Sequence, residues 1–223
     1  MEVFEQLVKE LNEYSAQLIA VSKTRSEEQI MELYNAGQRR FGENRVQELC
    51  AKYESLPKDI EWHAIGHLQT NKVKYIAPFV HLIHAVDSLK LMKEIQKEAK
   101  KNARKIDVLL QIHIAQEESK FGLDPTSLEE LLDFYFAEVK HFPNVNIVGL
   151  MGMATFTEDE TIVRTEFKGL EQLFTRLKDV HFFGKRNFTE LSIGMSGDYK
   201  LALEVGSTMV RIGSKLFGPR DHA

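Results

Sequence analysis

The fold is decided by residues 189–214, which read TELSIGMSGDYKLALEVGSTMVRIGS. Thr189–Met195 and Thr208–Ser214 are short apolar runs with the length of buried strands, and Tyr199–Glu204 between them has helical character. Parallel strands need a crossover connection, which a helix commonly supplies. We therefore predict that these two strands are parallel neighbours in one sheet.

The same alternation extends outward over the whole chain. The candidate strands are Gln17–Lys23, Arg40–Asn44, Glu61–His67, His81–Asp87, Lys105–Ile114, Asn146–Ala154, Thr189–Met195 and Thr208–Ser214. Eight parallel strands close a (β/α)₈ barrel, and the 223 residues give each strand–helix unit about 28 residues. We predict an α/β fold consisting of a single TIM-type (β/α)₈ barrel. Periodicity alone leaves an open doubly wound sheet as the alternative.

Helical periodicity fills the segments between the strands. Ser26–Gln29 is a capping box, and Gly37 stands where a helix is expected to end. An extra helix is predicted at the N-terminus, with its apolar face packed on the barrel. The apolar positions that support the helices are Phe4, Leu7, Val8, Leu11, Ile30, Leu33, Ala36, Leu91, Met92, Ile95, Ala99, Leu128, Leu131, Leu132, Tyr135, Val139, Val163, Phe167, Leu170, Phe174 and Leu177.

Composition excludes several classes of function. The chain is 43% hydrophobic and 28% charged, with a formal net charge of −4 and no basic block, which argues against nucleic acid as a partner. The N-terminus lacks the apolar core of a signal peptide, and the longest apolar stretch, residues 147–154, is far shorter than the ~20 residues that span a bilayer. We expect one domain over residues 1–223, a cytoplasmic location and no membrane partner.

In a (β/α)₈ barrel the chemistry lies at the carboxyl ends of the strands. That rule selects a short set of side chains: Lys23, Asn44, His67, Asp87, His113, Ser196 and Arg211. Lys23 ends the first apolar strand, where its ammonium either reaches solvent or lies in the barrel mouth. A lysine that loses water beside another cation becomes a nucleophile toward carbonyl groups.

Two glycine-containing turns indicate an anion site. Residues 192–198 follow strand 7 with small side chains, and Arg211-Ile212-Gly213-Ser214 ends strand 8. Exposed backbone N–H groups bind anions, and barrels often build a phosphate site from the loops after strands 7 and 8. A phosphate site beside a nucleophilic lysine suggests either a sugar-phosphate carbonyl, as in a Schiff-base aldolase, or pyridoxal phosphate (PLP).

Neither the histidines nor the single cysteine indicates a metal site or a nucleophile. His63 and His67 would be ~13 Å apart along one strand, and His81 and His84 would face opposite sides of another. We expect hydrogen-bonded core histidines and no metal. Cys50 is expected to be a packed thiol, and a lone cysteine forms no intrachain disulfide.

Several long motifs resemble one known family, the pyridoxal phosphate homeostasis proteins. The matching stretches are 18–24 (LIAVSKT), 41–48 (FGENRVQE), 62–72 (WHAIGHLQTNK), 119–122 (SKFG), 149–153 (GLMGM), 191–198 (LSIGMSGD) and 208–218 (TMVRIGSKLFG). Arg25-Ser26 and Ala154 depart from common family residues, and neither departure touches a binding position. The resemblance covers the chain from the first strand to the C-terminus.

The resemblance implies a barrel similar to that of alanine racemase, with PLP joined to Lys23 as a Schiff base. It also implies that Arg211 faces the pyridine nitrogen, that Asn44 lies near the ring and that the phosphate is held by Ser196, Gly197, Gly213 and Ser214. The implied role is that of a PLP carrier or regulator in vitamin B6 homeostasis, without catalytic residues and with recipient PLP enzymes as partners.

An arginine opposite the ring nitrogen would mute PLP chemistry. Guanidinium only donates hydrogen bonds, so it keeps the pyridine nitrogen unprotonated and the ring a poor electron acceptor. Racemases of this fold also use a second base from another domain, which we do not expect here. A PLP-dependent amino-acid racemase is the first alternative, a Schiff-base aldolase the second, and the protein is expected to be a monomer.

Overall fold

The computed structural model describes residues 1–117, 121–137 and 142–218 and forms a closed barrel of parallel strands. The strands follow one another around the barrel in chain order: β1 Gln17–Val21, β2 Arg40–Glu43, β3 Glu61–Ala64, β4 Leu82–Val86, β5 Ile106–Gln111, β6 Val145–Met151, β7 Glu190–Met195 and β8 Met209–Ile212. The last strand pairs with the first, Leu18 opposite Val210 and Ile19 opposite Arg211. This pairing closes the sheet, which confirms the predicted (β/α)₈ barrel and excludes the open doubly wound sheet.

Each predicted strand is present, but most are shorter than predicted. The largest difference in length is in β5, which spans Ile106–Gln111 instead of Lys105–Ile114, and β3 ends at Ala64 instead of His67. His67 therefore lies in the loop after the strand, and the prediction that His63 and His67 share one extended strand is wrong. The sequence Ile65-Gly66-His67 is apolar enough to resemble a strand, but its backbone turns at Gly66 against Asn44.

Helices surround the barrel and connect its strands. They are α1 Glu2–Glu13, α2 Glu27–Asn35, α3 Val46–Ser55, α4 Val73–Ile76, α5 Leu89–Lys101, α6 Pro125–Ala137, α7 Glu160–Val180, α8 Tyr199–Val205 and α9 Ser214–Phe217. The capping box of α2 forms as predicted, since the Ser26 hydroxyl accepts from Gln29 N–H and the Gln29 side chain accepts from Ser26 N–H. Ser88 caps α5 in the same way, through the N–H of Leu91.

The outer core lies between the strands and the helices. The predicted face of α7 is buried at Val163, Phe167, Leu170 and Leu177, whereas Phe174 is half-buried and stacks on Phe188. Helix α1 buries Phe4, Leu7 and Leu11, as expected of an extra helix packed on the barrel. Full burial of each such side chain contributes about 1.5–3 kcal/mol to folding. Val139, predicted on the face of α6, is outside the described residues.

A second, smaller core fills the barrel. Its buried apolar members are Ile19, Leu82, Ala85, Leu109, Val148, Met151 and Met209. Polar side chains lie among them, because His63, His84, Ser192 and Arg211 are also buried and joined by hydrogen bonds. None of the helices in the described ranges is long and apolar enough to cross a membrane.

Candidate functional site

A cavity of about 550 Å³ opens at the carboxyl ends of the strands. All the residues predicted to bind a cofactor line it: Lys23, Asn44, Ser196, Gly197, Arg211, Gly213 and Ser214. These residues come from both ends of the sequence, and the closure of β1 against β8 brings them to one mouth. The cavity contains a primary amine, a guanidinium and two turns rich in small residues.

Lys23 lies two residues beyond the end of β1, at the wall of this cavity. Its position is fixed by a buried ion cluster, which consists of Ser22, Glu43, Glu48 and Lys52. The Lys52 ammonium donates to Ser22 O at 2.7 Å, to Glu43 Oε1 at 2.8 Å and to Glu48 Oε1 at 2.7 Å. Because Ser22 precedes Lys23 and Glu43 precedes Asn44, the cluster anchors the two strand ends that carry these residues.

The same cluster holds the turn that follows Lys23. Thr24 has a positive φ of 62°, which is unfavourable for a threonine, and its N–H donates to Glu48 Oε1 at 2.6 Å. The carboxylate of Glu43 is 1% exposed, and burial raises its pKa, although Lys52 and Ser22 oppose that shift. The buried charges of the cluster therefore fix the backbone on both sides of Lys23, at Ser22 O and at Thr24 N–H.

Arg211 is on β8 and points into the barrel. Its Nη1 donates to the carbonyl and the hydroxyl of Ser192, both at 2.7 Å, and its Nη2 donates to Gly152 O at 3.0 Å. These bonds hold the plane of the guanidinium. Burial lowers the pKa of Arg211 to about 10, so the group stays a cation and an obligate donor at neutral pH.

The turns after β7 and β8 meet at the wall of the cavity. The hydroxyl of Ser196 accepts from Gly213 N–H at 3.3 Å, which joins the two turns. Gly194 has a φ of +93°, and a Cβ there would lie 2.6 Å from Ala202 Cβ, so the turn requires glycine at this position. A Cβ at Gly197 would meet no atom within 4 Å, which leaves open space where an anion is predicted.

Asp198 adds a negative charge beside this predicted anion site. Its Oδ1 accepts from the N–H of Met195, and its charge opposes the lowering of the Arg211 pKa. Sequence reasoning treated Asp198 only as part of the glycine turn and did not assign the carboxylate a role. We interpret it as the group that closes the turn after β7.

Asn44 follows β2 and lines the cavity between Lys23 and Ile65. A Cβ at Gly66 would lie 2.5 Å from Asn44 O, so this glycine lets the loop after β3 pack directly on the Asn44 backbone. Its close packing fixes the position of Asn44 without using its side chain.

Three other strand-end candidates lie outside this cavity. His67 Nδ1 lies 3.0 Å from Asp87 Oδ2, and its ring stacks on Phe121 with 4.0 Å between centroids. His113 Nε2 is 3.0 Å from the carbonyl of Glu117, and His113 lines a separate cavity of about 240 Å³ between α6 and α7. Burial raises the pKa of the Cys50 thiol, in keeping with the expected packed cysteine.

A hydrogen-bonded line of polar side chains, His63, His84 and Ser192, runs inside the barrel and was not predicted from the sequence. Ser192 Oγ lies 3.0 Å from His84 Nδ1, and His84 Nε2 lies 2.8 Å from His63 Nδ1. Burial holds the pKa of both histidines well below the usual value, so both imidazoles are neutral. The available signal was that His63, His84 and Ser192 are polar residues within short buried strands.

Sequence reasoning also missed the apolar wall and rim of the cavity. Ile65 and Met153 pack against the inner core, while Met195 and Phe156 lie at the opening, with Phe156 97% exposed. Met195 ends β7 and the other three lie in loops after strands, and the strand-end rule was applied only to polar side chains.

The closed barrel and the site at its carboxyl edge place the chain in a recognised class. The family described as "Alanine racemase, N-terminal domain" matches residues 4–221. The pyridoxal phosphate homeostasis protein of Aquifex aeolicus (strain VF5) is 44% identical over 211 residues, which cover 94% of this chain and 90% of that relative. The chain belongs to the pyridoxal phosphate homeostasis protein family.

Solved structures support the same assignment. PipY of Synechococcus elongatus PCC7942 without PLP superposes with a TM-score of 0.88 at 36% identity, covering 97% of this chain and 99% of PipY. The structure of PipY with PLP bound gives a TM-score of 0.85 at 35% identity over the same shares. Alanine racemase from Bartonella henselae has a TM-score of 0.71 at 17% identity and is covered over 57% of its length, which shows a shared fold.

Proposed function

We propose that this protein binds PLP in the 550 Å³ cavity and acts as a carrier or regulator of PLP without strong catalysis of its own. One observation carries the proposal: Lys23, Arg211 and the turns at Ser196-Gly197 and Gly213-Ser214 converge on one cavity. The names of its relatives support it, since they are called homeostasis proteins and not after a reaction. PipY, which is 35% identical, has been solved with PLP bound.

The residues of the cavity match the chemical groups of PLP. The turns offer N–H and hydroxyl donors to a phosphate, and the space at Gly197 accommodates it without a side-chain clash. Lys23 supplies the amine that reacts with an aldehyde, and Arg211 supplies N–H donors to an unprotonated pyridine nitrogen. We assign these roles, and a place near the ring for Asn44, to the residues predicted from the sequence.

The cavity favours retention of PLP over catalysis. PLP supplies an electron sink whose strength depends on protonation of its ring nitrogen. Arg211, held by Ser192 and Gly152, remains a donor and so disfavours that protonation. Among the described residues that line the cavity, none is a tyrosine or a histidine that could serve as the second base of a racemase.

Calorimetric titration with PLP and with pyridoxal tests the proposal. Each charge-assisted hydrogen bond to the phosphate contributes about 1.5–3 kcal/mol, so two of them give PLP at least a roughly hundredfold advantage in affinity. Bound PLP should also give the protein a visible absorbance that the PLP-free protein lacks. Equal affinities for PLP and pyridoxal would contradict the phosphate site, and no binding of either would contradict the function.

The proposal extends to four finer points that rest on the sequence. Residues 1–223 act as one domain, the protein is a monomer in the cytoplasm, and PLP enzymes are the recipients of the cofactor. Met195 and Phe156 are exposed residues that line the cavity, and this accessible rim supports release toward a recipient. Light scattering tests the monomer, and transfer of PLP to an apoenzyme faster than free PLP exchange tests the recipient.

A further inference from the structure

A second cluster of polar side chains lies at the amino end of the barrel, opposite the proposed PLP cavity. Glu61 begins β3, His63 follows on the same face of that strand, and His81 immediately precedes β4. One ligand atom from each of the three lies within 4.8 Å of the others. Two imidazoles and one carboxylate form the kind of donor set that binds divalent transition metals such as Zn²⁺.

The buried histidine of this cluster has an unused nitrogen. His63 is fully buried, and its Nε2 has no hydrogen-bond partner among the described residues. A buried polar atom without a partner is costly, so such atoms usually mark a bound water, an ion or a functional role. Nε2 is the atom that remains for a ligand, because Nδ1 is already 2.8 Å from His84 Nε2.

The surroundings resemble the outer shell of a metal site. Ligating histidines generally hydrogen-bond through their other nitrogen, and ligating carboxylates are themselves held by hydrogen bonds. Here His84 and Ser192 fix the ring of His63, and Glu61 forms an ion pair with Arg40, with 2.9 Å between Nε and Oε2, although Oε2 accepts no hydrogen bond from the described residues. Arg40 leaves the other carboxylate oxygen available, although its positive charge lowers the affinity for a dication.

We propose that Glu61, His63 and His81 form a binding site for one divalent transition metal ion of the Zn²⁺ class. Two ligands at about 2.1 Å from one ion cannot be more than about 4.2 Å apart, so any pair of these atoms that lies between that distance and 4.8 Å must move closer. His81 is exposed and can make that adjustment, while His63 and Glu61 are held in place. Water completes the coordination from the solvent side.

Metal binding at this end would fix the hydrogen positions along the line to the PLP cavity. A metal on His63 Nε2 requires the proton on Nδ1, which then donates to His84 Nε2. His84 consequently carries its own proton on Nδ1 and donates to Ser192 Oγ, which also accepts from Arg211. Without metal, the Ser192 hydroxyl is free to donate to His84 instead, and the direction of both bonds reverses. This departs from the expectation, drawn from sequence, of no metal.

Titration of the purified protein with Co²⁺ tests the site, because four- or five-coordinate Co²⁺ has a visible absorption that free Co²⁺ lacks. We expect one ion per chain in the parent. His81→Gln and Glu61→Gln should each weaken binding roughly tenfold or more, in line with the effect of disturbing metal ligation. His181→Gln is the matched control, since His181 is a half-buried imidazole far along the chain that stacks on Phe136, and its replacement should leave binding unchanged.

Several results would overturn the site. They are the absence of a visible cobalt spectrum, equal binding by all four proteins, or a sulfur-to-cobalt charge-transfer band that places the ion on Cys50. A second readout separates binding at His63 from binding at the surface. In protein with ¹⁵N-labelled histidine, Zn²⁺ should convert His84 Nδ1 to the protonated type, and an unchanged His84 signal would contradict ligation through His63 Nε2. Neither readout needs PLP, so failure here leaves the proposed function untouched.

Discussion

Replacing Lys52 by methionine tests how the buried ion cluster supports the site. The substitution keeps most of the apolar stem of Lys52 and removes an ammonium that donates to Ser22 O, Glu43 Oε1 and Glu48 Oε1. The side chains of Lys52 and Glu43 are 7% and 0% exposed, whereas that of Glu48 is 24% exposed. In the variant, Glu43 therefore loses the positive charge that compensates its carboxylate and, because it is buried, gains no contact with water in exchange.

Breaking a buried ion pair on one side costs about 3–5 kcal/mol, because the remaining charge stays buried without its partner. For a chain of this size each kcal/mol lowers Tm by about 2–4 °C, so we expect a decrease of roughly 6–20 °C. The loss should also disorder the turn after Lys23, since Thr24 N–H is held by Glu48, and weaken PLP binding. Stability is read from urea unfolding and from the thermal midpoint.

The loss of stability caused by Lys52→Met should depend on pH in a defined direction. Burial raises the pKa of Glu43 above its ordinary 4.5, so between 4.5 and the folded pKa the folded state holds a proton that the unfolded state has lost. The free energy of unfolding therefore falls as pH rises through this window. Loss of Lys52 raises the folded pKa further, so the deficit is smallest below pH 4.5 and largest at neutral pH.

Two variants make this reasoning refutable. Lys97→Met removes an exposed ion pair with Glu94 that water screens, and it should leave stability nearly unchanged. The double substitution Lys52→Met with Glu43→Gln removes the buried charge as well and should recover part of the loss and flatten its pH dependence. A Lys52→Met deficit as small as that of Lys97→Met, or one independent of pH, would refute the argument.

Three further predictions concern the cavity directly. Lys23→Ala should still bind PLP, more weakly and without covalent attachment, because the phosphate turns remain; complete loss of calorimetric binding would contradict this. Gly197→Asp should weaken PLP binding more than Lys23→Ala does, because the new carboxylate repels the phosphate. The control is Gly169→Asp, at a glycine where a Cβ also meets nothing within 4 Å, and it should leave PLP binding unchanged. Equal affinities of the two aspartate variants for PLP would exclude phosphate at Gly197. Arg211→Glu should favour a protonated ring nitrogen and raise slow transamination of added amino acids above the parent level; a folded, PLP-loaded variant with no gain would contradict the electronic argument.

The parts of the fold that repeat could be predicted from sequence. Most strands bury both faces and are therefore rich in apolar residues, and α2 carries the predicted serine capping box, whose hydrogen bonds form. The strand-end rule then selected Lys23, Asn44, Ser196 and Arg211 without knowledge of any contact. Their convergence depended on closure of the barrel, which strand number and spacing indicated but did not require.

Features that depend on long-range packing could not be predicted in this way. The hydrogen bonds from His63 through His84 to Ser192 join residues 21 and 108 positions apart, and no local pattern records such a line. Comparison of histidines within single strands paired His63 with His67 and His81 with His84, so the proximity of His63 to His81 across two strands was missed. The end of β3 was misplaced because Ile65 continues the apolar run past the last paired residue.

The central claim is that PLP is held at the carboxyl end of the barrel by Lys23. Borohydride reduction of the PLP-loaded protein converts the reversible Schiff base to a stable amine, and peptide mapping then locates the added mass. We expect one PLP-derived group per chain, attached to Lys23. A label on Lys72, Lys120 or Lys215 instead would contradict the account.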